Sequence, residues 1–88
     1  MKENCEGMKI IVADDYYTNR LLVSEIIKNL GHESIEVENG KQALKALEDH
    51  HDVDLVLMDL EMPVMNGFEA MRYIREKLVH PKNDIPII

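Results

Sequence analysis

Eighty-eight residues and 10.2 kDa allow at most one small domain, read here as a single unit over residues 1–88 with residues 1–7 as a flexible tail. Ten basic against seventeen acidic side chains leave a net charge of −7, which disfavours unaided binding to nucleic acid or to an anionic membrane. The start shows no apolar signal region, no apolar run approaches the ~18 residues of a membrane span, and the one cysteine, Cys5, supports neither an internal disulfide nor a zinc cage. A cytoplasmic location is the expectation.

Short apolar runs alternate with helical patterns. Met8 to Ala13 is nearly continuous in apolar character, as a strand buried on both faces should be, and Asp14-Asp15 ends it. Thr18 to Leu30 has helical spacing, with Leu22, Ile26 and Leu30 one turn apart and Val23 and Ile27 beside them. That face is expected to pack on the sheet. Gly31 falls where a helix ends in a left-handed residue. Ser34 to Glu38 alternates with period two, as an edge strand with one wet face does.

Asn39 and Gln42 form a capping-box pattern ahead of a helix carrying Ala43, Leu44 and Leu47. Asp54 to Met58 is a second nearly continuous apolar strand, and Asp59 ends it. A loop over residues 60–67 holds Pro63 and Gly67. A third helix starts at Phe68, with Met71, Ile74 and Leu78 on one face, and Ile85 to Ile88 begins a fourth strand. Strands alternating with helices predict right-handed crossovers and a parallel sheet in an α/β fold.

In open parallel sheets, ligand sites lie at the carboxyl ends of the strands. Two buried-type strands here end in aspartate. If they are neighbours, Asp14, Asp15 and Asp59 converge, and an oxygen-only cluster of that charge suits Mg²⁺ (or Mn²⁺) better than zinc. A carboxylate beside such a cation can serve as a phosphoryl acceptor. The four histidines show no metal-ligand spacing and are expected to be solvated. Met58 and Met71 are expected in the core, and Tyr16 and Tyr17 as half-buried aromatics.

The pattern Ile-Ile-Val-Ala-Asp14-Asp15, followed by Asp54-Leu-Val-Leu-Met-Asp59-Leu-Glu-Met62-Pro63-Val-Met-Asn-Gly67, resembles the receiver domain of two-component response regulators, in a form common in hybrid sensor kinases. The resemblance runs from Met8 to Ile88. It implies a flavodoxin-like doubly wound parallel sheet with strand order 2-1-3-4. The fifth strand and last helices of that fold, and the hydroxyl and lysine that contact the phosphoryl group there, have no counterpart in these residues.

By that resemblance, Asp59 accepts a phosphoryl group from the phosphohistidine of a histidine kinase or histidine phosphotransfer protein. Asp15, Asp59 and the backbone carbonyl of Glu61 ligate Mg²⁺, and Asp14 holds a metal-bound water. Met62-Pro63 and Gly67 shape the loop over the site, with Tyr16, Tyr17 and Asn19 near its mouth. The protein is then a regulatory phosphoacceptor rather than an enzyme acting on a separate substrate. The competing reading is a non-switching module for protein binding or dimerisation, pairing with a second copy through its uncovered sheet edge. An aspartyl phosphatase fits less well, because Glu61 stands where that chemistry uses a second aspartate. A flavin protein fits less well too, because Asp14-Asp15-Tyr16-Tyr17 would repel a phosphate in the absence of a metal.

Overall fold

A computed structural model describes residues 7–59, 65–78 and 85–88. Its elements run β1 (Lys9–Ala13), α1 (Tyr17–Asn29), β2 (Glu33–Val37), α2 (Gly40–Asp49), β3 (Leu55–Met58) and α3 (Gly67–Lys77). The sheet is parallel in the order β2-β1-β3. Ile87 adds a parallel bridge to Val56 on the outer side of β3, so the fourth strand is present as one bridge. The expected 2-1-3-4 order is therefore kept.

Alternation along the central strand builds two layers. Ile11 and Ala13 point to one side with Val56 and Met58, where they meet Ala43, Leu44 and Leu47 of α2 and Ala70 and Ile74 of α3. Ile10 and Val12 point to the other side, where Ile27 of α1 covers them, flanked by Val23, Leu55 and Leu57. Fully buried side chains such as Ile11, Leu47 and Ile74 each contribute about 1.5–3 kcal/mol of hydrophobic stabilisation.

One face is not as the spacing predicts. Leu22, Ile26 and Leu30 do not pack on the sheet; they are 59%, 50% and 66% exposed. The buried side of α1 is instead Arg20, Ser24 and Ile27, also at helical spacing. Ser24 is small enough to let the helix lie close to the strands, and its hydroxyl has no hydrogen-bond partner among the described residues.

Helix ends follow their capping chemistry. His32 N–H donates to the Ile27 carbonyl and Gly31 N–H to that of Lys28, with Gly31 at φ +90°, the left-handed close expected there. Asn39 accepts from Gln42 N–H at 2.8 Å, but the Gln42 side chain returns to Glu38 N–H at 2.7 Å rather than to its own cap. Asn66 and Glu69 form a full capping box that starts α3 at Gly67. His32 is half-buried, and its Nδ1 accepts from Met8 N–H at 3.2 Å. Met58 is buried and Met71 half-buried. Cys5, Met62, Pro63 and His80 lie outside the described residues.

Two features make testable statements. Gly40 N–H donates to the Met65 carbonyl at 2.7 Å, and a Cβ on Gly40 would sit 2.5 Å from that oxygen and 2.9 Å from the Ala70 Cβ. The helix propensity gained by alanine is at most about 1 kcal/mol, whereas overpacking costs about 1–3 kcal/mol and this bond is also lost. Gly40→Ala is therefore expected to lower stability by about 1–2 kcal/mol in urea denaturation.

At the other end of the sheet, Lys9 Nζ lies 2.9 Å from Asp52 and 3.8 Å from Glu33. The hydrogen bond from Lys9 holds the Asp52 carboxyl below its ordinary 3.8, and the same bond raises the Lys9 ammonium above 10.5. The pair thus adds stability between these values. The Asp52 share is lost as pH falls through its lowered value, and the Lys9 share as pH rises through its raised one. Asp52→Asn should be slightly less stable than the original protein at pH 7, with the gap closing in acid denaturation below pH 3.8. The effect stays small because the Asp52 carboxylate is exposed to solvent.

Candidate acidic phosphoryl site

The register of the two central strands builds the site. Ala13 lies opposite Met58, so the next residues, Asp14 and Asp59, leave the sheet side by side. Two bonds prolong the ladder past the strand ends: Asp59 N–H to the Ala13 carbonyl at 2.9 Å, and Asp14 N–H to the Val37 carbonyl at 3.1 Å. Asp15 follows in the turn into α1. One carboxylate oxygen from each of Asp14, Asp15 and Asp59 falls within 4.8 Å of the others. Asp14 and Asp59 are half-buried and Asp15 is exposed.

The turn is held by the acidic residue itself. Asp14 Oδ1 accepts from Tyr16 N–H at 2.9 Å, standing in for a side-chain cap, which Tyr16 lacks. Neither Asp14 nor Asp15 forms an ion pair among the described residues. Two unit charges about 4 Å apart repel by about 1 kcal/mol even in bulk water, and by more where a low-dielectric sheet end lies beside them. Three carboxylates presenting only oxygen ligands suit a hard divalent cation that tolerates carboxylate and water ligands, as Mg²⁺ does. The residues present therefore fit Mg²⁺.

Beside the carboxylates lies a cleft of about 300 Å³, bounded by Asp14, Asn19, Val23, Leu57, Asp59 and Ile88. Its walls are strand ends and one side of α1. A larger hollow of about 480 Å³ runs along α3, away from the carboxylates. Of the residues expected at the site, Asp14, Asp15 and Asp59 come together and Asn19 lines the cleft. Tyr16 and Tyr17 are not half-buried; they stand 61% and 62% exposed on the turn into α1. Glu61 lies outside the described residues.

One residue of the surroundings is not evident from the sequence pattern. Arg20 is 9% exposed, and its Nη1 donates to the Asp14 backbone carbonyl at 2.8 Å. Its Nε lies 3.5 Å from a Glu36 carboxylate oxygen, and the guanidinium carbon is 5.4 Å from the centre of the Tyr17 ring. The available signal was its spacing from Ser24 and Ile27, outweighed by the more apolar neighbouring stripe.

Comparison with known proteins agrees with this geometry. The profile of the response regulator receiver domain matches residues 10–88. The autoinducer 1 sensor kinase/phosphatase LuxN of Vibrio campbellii is 40% identical over 73 residues, which cover 83% of this chain and 8% of that protein. The receiver domain of sensor histidine kinase PA1611 from Pseudomonas aeruginosa, solved with a magnesium ion in its active-site cleft, superposes with a TM-score of 0.83 at 30% identity, covering 92% of this chain and 64% of that one. TrrA from Thermotoga maritima, solved with Mg²⁺-BeF, gives a TM-score of 0.80 at 38% identity, covering 91% and 65%. The chain belongs to the response regulator receiver domain family, a regulatory class of two-component signalling. It spans less than a tenth of the length of the Vibrio campbellii sensor kinase and just under two thirds of these two solved chains.

Repulsion within the cluster predicts a measurable consequence. Without divalent ions, Asp15→Asn should be more stable than the original protein by about 0.5–1 kcal/mol in urea denaturation. Adding Mg²⁺ should stabilise the original protein and leave the variant nearly unchanged, since only binding to the folded state shifts the equilibrium.

Proposed function

We propose that this chain accepts a phosphoryl group on Asp59 in a two-component phosphorelay, from the phosphohistidine of a histidine kinase or a histidine phosphotransfer protein. The observation that carries this reading is the convergence of Asp14, Asp15 and Asp59 at the ends of adjacent parallel strands. The family pattern places the acceptor at Asp59, the aspartate after β3 that opens the Asp59-Leu-Glu-Met62-Pro63 run, and Asp59 borders the cleft. Its carboxylate oxygen forms the new P–O bond as the P–N bond breaks. The imidazole departs with the electron pair and takes up a proton.

Asp15 and Asp59 would hold Mg²⁺ directly, with the Glu61 carbonyl as a further ligand and Asp14 acting through a water. The cation supplies charge neutralisation between an anionic acceptor and an anionic phosphoryl group. Asp14, with Oδ1 engaged by Tyr16 N–H, keeps its other oxygen for such a water. The product is an aspartyl phosphate, so the role is regulatory, and a location beside cytoplasmic kinases follows from it.

A second reading, a protein-binding module that does not switch, is favoured by one observation: the exposed Leu22, Ile26 and Leu30 stripe on α1. The same stripe serves the first reading as a surface on which the donor protein can dock, on the helix whose Asn19 and Val23 line the cleft.

Incubation with Mg²⁺ and acetyl phosphate, followed by intact-mass measurement, separates the two. One phosphoryl adduct is expected on the original protein, none on Asp59→Asn, and none after chelation of the metal. A folded, Mg²⁺-loaded protein that never gains the adduct selects the binding module.

A further inference from the structure

Arg20 is the one buried cation among the described residues, and it touches none of the carboxylates of the acidic site through its side chain. Burying a guanidinium is costly unless its donors are satisfied. Here three contacts, from three parts of the fold, offset that cost. The Asp14 carbonyl just past β1 accepts from Nη1 at 2.8 Å, Glu36 of β2 lies 3.5 Å from Nε, and the Tyr17 ring of α1 lies 5.4 Å from the guanidinium carbon.

The Asp14 carbonyl is a telling partner. It belongs to the peptide plane that joins Asp14 to Asp15, and that plane is rigid. The other side of Asp14 is fixed as well, by its N–H bond to the Val37 carbonyl at 3.1 Å and its Oδ1 bond from Tyr16 N–H at 2.9 Å. With the carbonyl also held, the direction in which the chain enters Asp15 is set. We propose that Arg20 is a positioning residue for the acidic site: it locks the Asp14–Asp15 peptide so that both carboxylates face Asp59, with Glu36 as its counter-charge. The proposal rests on the phosphoacceptor reading for the identity of the bound cation.

Positioning and plain electrostatics make opposite forecasts. A positive charge near a cation site weakens cation binding, so removing it should tighten the site. If Arg20 acts by holding geometry, removing it should loosen the site despite the lost repulsion. Partners that orient metal ligands typically matter by about tenfold or more in affinity.

The test is Mn²⁺ titration of the full chain at fixed ionic strength, read from the electron paramagnetic resonance signal of the free ion, with circular dichroism confirming the fold of each variant. Arg20→Met, which keeps the apolar stem, should weaken Mn²⁺ binding about tenfold. Arg20→Lys keeps the charge but loses the planar fork, and should fall between the two. Equal or tighter binding by folded Arg20→Met overturns the proposal. If Arg20→Met does not fold, Arg20→Lys decides: a severalfold loss supports positioning, and an affinity equal to the original overturns it. An original protein that takes up no Mn²⁺ overturns the phosphoacceptor reading itself, and this inference with it.

Discussion

The parallel register of β1 against β3 is the constraint from which the rest follows. Pairing Ala13 with Met58 brings Asp14 and Asp59 to the same height at the same sheet end, and the short turn into α1 adds Asp15. A slip of one residue would turn Ile11 and Val56 out of the layer they share with α2 and α3. The core therefore enforces the register, and the register enforces the acidic site. Hydrophobic packing supplies the stability against which three clustered carboxylates are held together, with no ion pair to Asp14 or Asp15 among the described residues.

The alternation of strands and helices is legible because β1 and β3 are short, nearly continuous apolar runs, the pattern of strands covered on both faces. The acidic cluster was legible because each of these runs ends in aspartate. The inner face of α1 was not. Ranking residues by apolarity selects Leu22, Ile26 and Leu30, yet the sheet receives Arg20, Ser24 and Ile27. Closeness of approach favours a small serine there, and the Asp14 carbonyl and Glu36 favour a guanidinium. Both reasons lie in tertiary partners that periodicity does not contain. The acceptor role of His32 toward Met8 N–H is hidden for the same reason, since the bond spans 24 positions.

The two faces of the sheet are unequally dressed. α2 and α3 pack on one side and meet closely at Gly40, where only a missing side chain leaves room for the Met65 carbonyl. That contact and the Asp59 N–H bond to Ala13 hold the described residues on either side of positions 60–64. On the other side α1 lies alone among the described helices and shows an apolar stripe to the outside. The carboxylate cleft opens along this side, with Asn19 and Val23 of α1 in its wall. Membership of the receiver family gives this geometry a chemical purpose, and the carboxylates supply the ligand type that purpose needs.

The central claim is that the ends of β1 and β3 form one divalent-cation site around the phosphoacceptor. Crystals grown with Mn²⁺ and measured at the manganese absorption edge test it most directly. A single anomalous peak is expected, bounded by carboxylate oxygens of Asp15 and Asp59, with Asp14 reaching it through a water. A peak elsewhere, or none at saturating Mn²⁺ with these three side chains ordered, would contradict it.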